Sequence, residues 1–251
     1  MSRRPRNPLP DDFVERQGPA NWTVEHPRAV AADAVRDAID VLVSKDVPDA
    51  VLLEEAAVID ASTQRMIDAA APGKRVRMSP DYDAHPQDFF PNGPTAGWAN
   101  PLALPITLWG IDGSDGGVPE IRGEATFSLA YEGPPTCVHG GVISLIFDEI
   151  LGNANIIAQA PGMTVELKVT YCKPTPLMTP LTLEAKVTSV DGRKIRSWAA
   201  IRNNGEITAE AEGLFIAVDP EQMMKFAKTH AENTEHDVAD AEMRQMFPSD
   251  D

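Results

Sequence analysis

Two carboxylates stand side by side in an otherwise apolar stretch. They are Asp148 and Glu149, within HGGVISLIFDEILGNANIIA at residues 139–158. Ionised carboxylates are rarely taken into an apolar setting without a partner or a purpose. The same stretch opens with His139-Gly140-Gly141. Glycines there let a ligand approach the backbone, and free N–H groups at a helix start favour negative charge. Those are the properties of an oxyanion hole, with the N–H groups of Gly140 and Gly141 polarising a carbonyl oxygen. Two plainer readings fit as well: the glycines form a tight turn into the helix, and the acids face a water-lined interface. Composition does not choose between them.

Spacing adds a constraint. Gly141 and Asp148 share one helix face, ~10 Å apart along the axis at ~1.5 Å per residue. A carboxylate and an oxyanion donor serving one carbonyl must both lie ~3 Å from the reacting atoms. Two such helices about a twofold axis would set Asp148 of one chain beside the glycine turn of the other. A shared site in a dimer is therefore expected.

The surrounding sequence indicates what holds this helix. Apolar residues on every side, from Val142 to Ile157, mark it as buried. Around it the hydrophobic period is two. Alternation runs through Ala125–Tyr131, Met163–Tyr171, Leu181–Val187, Ile195–Ile201 and Ile207–Phe215, with a further strand within 104–111. Asp191-Gly192 and Asn204-Gly205 lie between consecutive strands, which predicts hairpins and an antiparallel meander. The pattern predicts an α+β domain, an antiparallel sheet curled around one central helix. Ahead of it lie an arm over 1–26 and two helical segments, from Pro27 and from about Val51 to Ala71. In the first, Val30, Ala34, Val35, Ala38, Ile39 and Leu42 form an apolar face expected to cover a core or an interface. The proline- and aromatic-rich loop 79–105 is expected to pack on the domain or roof a site. The boundaries read as 1–99, 100–218 and an acidic tail with a short helix over 219–251.

The chain has 251 residues and a formal charge of −16. Such an acidic chain repels phosphate backbones, so nucleic acid is not an expected partner. No apolar run of ~18 residues stands out, so no membrane span is expected. The N-terminus has no apolar segment of the secretory kind, and Cys137 and Cys172 read as reduced thiols, which suits the cytoplasm. His26, His85, His230 and His236 lack metal-ligand spacing, so no metal is expected.

The run Cys137-Val138-His139-Gly140-Gly141-Val142, followed by Asp148-Glu149, resembles the hotdog-fold acyl-CoA thioesterases of the PaaI-like group. The resemblance covers roughly residues 100–218. It implies that Asp148, nine positions after the His, is general base or nucleophile, supplied by the facing subunit, and it favours Asp148 over Glu149. It implies that the N–H after the His polarises the thioester carbonyl, and that Thr164 matches a Thr or Ser some members use. Tyr171-Cys172-Lys173-Pro174 resembles the family's ending of that strand, and Asp191-Gly192-Arg193 resembles a turn near coenzyme A. No cofactor is implied beyond the coenzyme A of the substrate. The residues themselves leave plainer roles open. His139 suits positioning better than proton transfer. Thr164 falls on the strand's polar face with Glu166, Lys168 and Thr170, where a surface Thr is equally at home. Lys173, Arg193, Lys194 and Arg196 read as a basic group suited to coenzyme A phosphates, or as ordinary surface charge. A homodimer or dimer of dimers hydrolysing an acyl-CoA is the leading reading. A hotdog hydratase and a non-catalytic acyl-CoA or lipid-binding module are its rivals.

Overall fold

The computed structural model describes residues 27–70, 90–113 and 117–218. The arm 1–26, the loop 71–89 and the acidic tail lie outside them. Two helices come first, α1 (Pro27–Ser44) and α2 (Asp49–Asp68). Six strands and a central helix follow: β1 (Ile106–Ile111), β2 (Glu120–Ala125), α3 (Gly140–Ile157), β3 (Gly162–Tyr171), β4 (Leu181–Asp191), β5 (Lys194–Asn203) and β6 (Glu206–Ala217). The strands form one antiparallel sheet in the order β1-β2-β4-β5-β6-β3. This is the hotdog arrangement expected from the alternation of periods.

The hairpins follow the turn chemistry. Asn204 and Gly205 both have positive φ, 50° and 83°, and join β5 to β6 in the geometry that matches strand twist. Gly192, at φ 55°, does the same between β4 and β5. The core lies between the inner sheet face and α3. Ile143, Ile146, Phe147, Ile150, Leu151 and Ala154 of the helix meet Ile121, Leu183, Ile195, Ile201, Ala209 and Phe215. Each large side chain so buried contributes roughly 1.5–3 kcal/mol. By length and composition α3 could span a bilayer, contrary to the sequence reading, but the sheet takes up its apolar faces.

Two expectations are corrected. The strand predicted over Ala125–Tyr131 ends at Ala125, and Leu129–Tyr131 is a 3-10 turn. Phe127 is fully buried and its carbonyl accepts from Met178 N–H, which draws the chain off the sheet. Helix α1 is also rotated from its expected setting. It rests on Ala29 and Ala32, with Arg36 donating to Asn100 O and Asp40 accepting from Ser128 Oγ. Val30, Val35, Ile39 and Leu42 are exposed. Polar anchors on the small-residue side decide the orientation. The described part of the proline-rich loop does pack on the domain, with Ala96 and Leu104 in the core.

Gly123 is where the sheet has no room to spare. A Cβ there would stand 2.6 Å from Leu108 Cδ2 and 2.7 Å from Thr107 O. Gly123→Ala is expected to destabilise the fold by about 1–3 kcal/mol, read as a lower urea midpoint at unchanged slope.

Candidate active site

Helix α3 starts on His139, an N-cap residue in extended conformation at φ −60° and ψ 133°. Its Nδ1 accepts the Gly141 N–H at 2.9 Å. An acceptor lone pair on Nδ1 places the ring proton of the neutral imidazole on Nε2. The ring is held from behind, because His139 N–H donates to Tyr131 O and Gly133 lies against its Cα. A Cβ on Gly133 would come within 2.7 Å of that atom. The approach to the cap includes Thr136 at φ 66°, a conformation a β-branched residue rarely adopts, secured by Glu132 Oε1 accepting from its N–H.

Of the two glycine N–H groups expected to polarise a carbonyl, Gly141 is thus committed to the histidine. Among the described residues no acceptor takes the Gly140 N–H. Of the two, the Gly140 N–H is the one left to meet a ligand's acceptor.

Asp148 is exposed on the same helix stripe as Gly141 and Leu145. Thr164 Oγ1 donates to its Oδ1 at 2.8 Å. The position of Thr164 corrects the sequence reading. Strand β3 carries a bulge: Thr164 pairs with Phe215, while Glu166 pairs with Leu214. The extra residue, Val165, changes the alternation. Glu166, Lys168 and Thr170 face away from α3, but Thr164 shares the helix-side face with core residue Phe215. The bulge aims this hydroxyl at the carboxylate.

Residues 136–209 match the thioesterase superfamily. A crystal structure of a thioesterase superfamily protein is 36% identical with a TM-score of 0.66, and the match covers 75% of this chain and 94% of that one. The chain belongs to the thioesterase superfamily. Among curated proteins, acyl-coenzyme A thioesterase THEM4 of Mus musculus is 36% identical over 96 residues, 38% of this chain and 41% of that protein. Its Xenopus laevis counterpart is 34% identical over 91 residues, 36% of this chain and 41% of that protein. The matched segment spans about two fifths of the length of these relatives.

The thioesterase-superfamily sheet does not gather the four basic residues into one group. Lys173 pairs with Glu206 at 2.9 Å, beside Thr208 of β6. Arg193 lies at the other end of that strand, donating to Ala217 O. Nine residues of β6 separate these ends, about 30 Å at ~3.3 Å per residue. Lys194 and Arg196 flank the buried Ile195 and so project from the face turned away from α3. Sequence proximity around the hairpin suggested the grouping, but strand alternation and length undo it.

Glu149 points elsewhere than Asp148. Burial pushes its carboxyl above the usual range, hydrogen bonds from Asn153 and Thr95 oppose the shift, and the charge of Asp148 adds to it. Thr95 is itself buried, on the segment after Phe90. Glu149 thus fastens that segment to α3. Sequence reading had no signal for this pairing, nor for Gly133 beneath the histidine.

A carboxyl whose folded pKa is raised binds more protons folded than unfolded. Its burial therefore costs stability progressively as pH rises above the unfolded value near 4.5. Glu149→Gln removes that cost. Its stability relative to wild type should increase from about pH 4 to about pH 8 in parallel urea titrations. A constant difference would mean Glu149 is not titrating in this setting.

Proposed function

We propose that the chain hydrolyses the thioester bond of an acyl-coenzyme A, as a homodimer or dimer of dimers. The observation that carries this reading is the Asp148 carboxylate, held by Thr164 on the exposed stripe of a helix whose first residue offers an N–H. Gly140 N–H binds the carbonyl oxygen and stabilises the charge that develops on it. Asp148 of the partner subunit takes a proton from water as that water attacks the carbonyl carbon. Alternatively its oxygen attacks directly, giving a mixed anhydride that water then opens. In either route the C–S bond breaks and coenzyme A leaves as the thiol, with the free acid as second product. His139 positions the turn. The names of the curated relatives support the substrate class.

The shared site is supported by the surface around it. Strand β3 is an edge strand of ten residues, with Met163, Val165 and Tyr171 exposed on it and Leu145 exposed on α3. A long edge with apolar residues favours pairing with another chain. Antiparallel pairing of two such edges would lay the end of one β3, where Lys173 follows, beside the start of the other, where Arg193 bonds Ala217 O. Coenzyme A phosphates would then meet cations from both chains.

Light scattering should return at least twice 27.2 kDa. A fully active monomer would refute the shared site.

Asp148→Asn should keep the fold and the assembly, because the amide oxygen still accepts from Thr164. It removes the proton acceptor, so kcat for thiol release from acyl-CoA should fall by about 10²–10⁴-fold with KM little changed. The same thiol-release panel separates the rivals: a hydratase or a binding module releases no thiol. An Asp148→Asn protein as active as wild type would remove Asp148 from the mechanism.

A further inference from the structure

The end of β3 reaches the glycine turn through a group that the hydrolytic scheme above does not use. Tyr171 Oη donates to Gly140 O at 2.9 Å. Ser144 Oγ lies 3.1 Å from the same carbonyl oxygen and 2.9 Å from Tyr171 Oη. The tyrosine ring also lies against Gly140: a Cβ there would meet Oη, Cε1 and Cζ at 3.4–3.5 Å. Tyr171 therefore clamps, by ring and hydroxyl together, the residue whose N–H is left to meet a carbonyl.

The clamp answers a specific weakness. Two successive glycines are the most freely rotating dipeptide a helix start can have. An oxyanion donor must nevertheless stay within a few tenths of an ångström of its place, since misplacement by ~1 Å costs about a hundredfold in rate. On the histidine side, His139 Nδ1 fixes Gly141 N–H. On the strand side, Tyr171 and Ser144 fix Gly140 O. That carbonyl and the Gly141 N–H belong to one peptide group. The chain of bonds is thus continuous, from Tyr171 O–H to Gly140 O, and from Gly141 N–H to His139 Nδ1. Hydrogen bonds in such a chain polarise and strengthen one another.

We propose that Tyr171, backed by Ser144, is a positioning residue for hydrolysis: by bonding the Gly140 carbonyl and packing its ring on Gly140 it restrains the rotation of that residue, so that the N–H on its other side, in the His139–Gly140 peptide, stays aimed at the thioester carbonyl. The proposal rests on the thioesterase reading. It also gives β3 two tasks, because the strand that aims Thr164 at Asp148 ends by holding Gly140. In the shared site these two contacts serve opposite catalytic groups, one from each chain.

The test compares full-length wild type, Tyr171→Phe and Ser144→Ala. Each is assayed for thiol release from acyl-CoA, for melting temperature, and for the infrared carbonyl band of a bound coenzyme A ketone analogue, labelled with ¹³C at the carbonyl. Tyr171→Phe keeps the ring and removes the hydroxyl. Its kcat should fall about tenfold to a hundredfold, with KM within about twofold of wild type. The bound carbonyl band should move back toward its position in water. Ser144→Ala should show a smaller loss of the same kind, and the double variant should lose less than the product of the two. A merely structural tie between β3 and α3 would lower the melting temperature and leave kcat and the carbonyl band of the folded protein as in wild type, which overturns the proposal. Should Tyr171→Phe not fold, Ser144→Ala decides alone: unchanged kcat and band overturn the proposal, and a matched loss of both sustains it. An active wild type beside an equally active Tyr171→Phe sinks only the clamp, whereas a wild type that releases no thiol sinks the clamp and the thioesterase reading together.

Discussion

The rest of the structure depends on how α3 is buried. Eighteen residues, apolar on nearly every side, need cover that one helix cannot give itself, and the inner face of a six-stranded sheet supplies it. Once Ile146, Phe147, Ile150 and Leu151 are committed inward, the rotation of the helix is fixed, and with it which residues cannot be inside. Gly141, Leu145 and Asp148 form the stripe left over. Asp148 and Glu149 are adjacent in sequence, yet the 100° step between helical neighbours sends one outward and the other under the Thr95 segment. Core packing, rather than any local preference of the acids, assigns them different environments.

Much of this was legible because the two hydrophobic periods are so distinct. The all-round apolar helix, the alternating strands and the Asp-Gly and Asn-Gly turns each dictate a local geometry with few alternatives. Together they allow little besides a sheet wrapped on a helix. The seven-residue spacing of Gly141 and Asp148 likewise carried a real constraint, since rise and periodicity of a helix are nearly invariant. What failed were inferences that assumed unbroken regularity. Alternation put Thr164 with Glu166 and Lys168, but the bulge at Val165 turns it over. Nothing in GMTVELKVTY announces a bulge, because Val165 fits a strand whichever way it faces.

The other misreadings concern distance and competition. Lys173 and Arg193 are close enough in sequence to look like one patch, yet they sit at opposite ends of β6, and Lys194 and Arg196 project from the face turned away from α3. Charge clusters are a property of the folded surface, and a linear count sees only composition. For α1, the apolar stripe was the stronger local signal. Small residues that allow close approach, together with hydrogen bonds from Arg36 and to Asp40, outweighed it at the contact with the domain. For the same reason sequence could not divide the two N–H groups of Gly140 and Gly141 between different partners. The division depends on a histidine ring folding back on its own helix by two residues.

Several positions that break local rules lie close together. Histidine is a weak choice for an N-cap, where Ser, Thr, Asp or Asn would serve better. Gly-Gly is a poor first turn for a helix, and a carboxylate is a poor mid-helix residue in an apolar run. A left-handed Thr136 leads into the same turn, and the bulge that aims Thr164 interrupts a ladder that would otherwise be regular. Elsewhere the β-branched strands, the glycine hairpins and the aliphatic core follow their propensities, with left-handed Gln159 and Met178 and register shifts in β4 and β5 as exceptions. Such a gathering of locally unfavourable choices along one helix stripe is what a site under chemical demand would show. The neighbouring strand then restrains what those choices set loose: Thr164 holds the carboxylate and Tyr171 holds the glycine turn, both from the edge strand of the sheet.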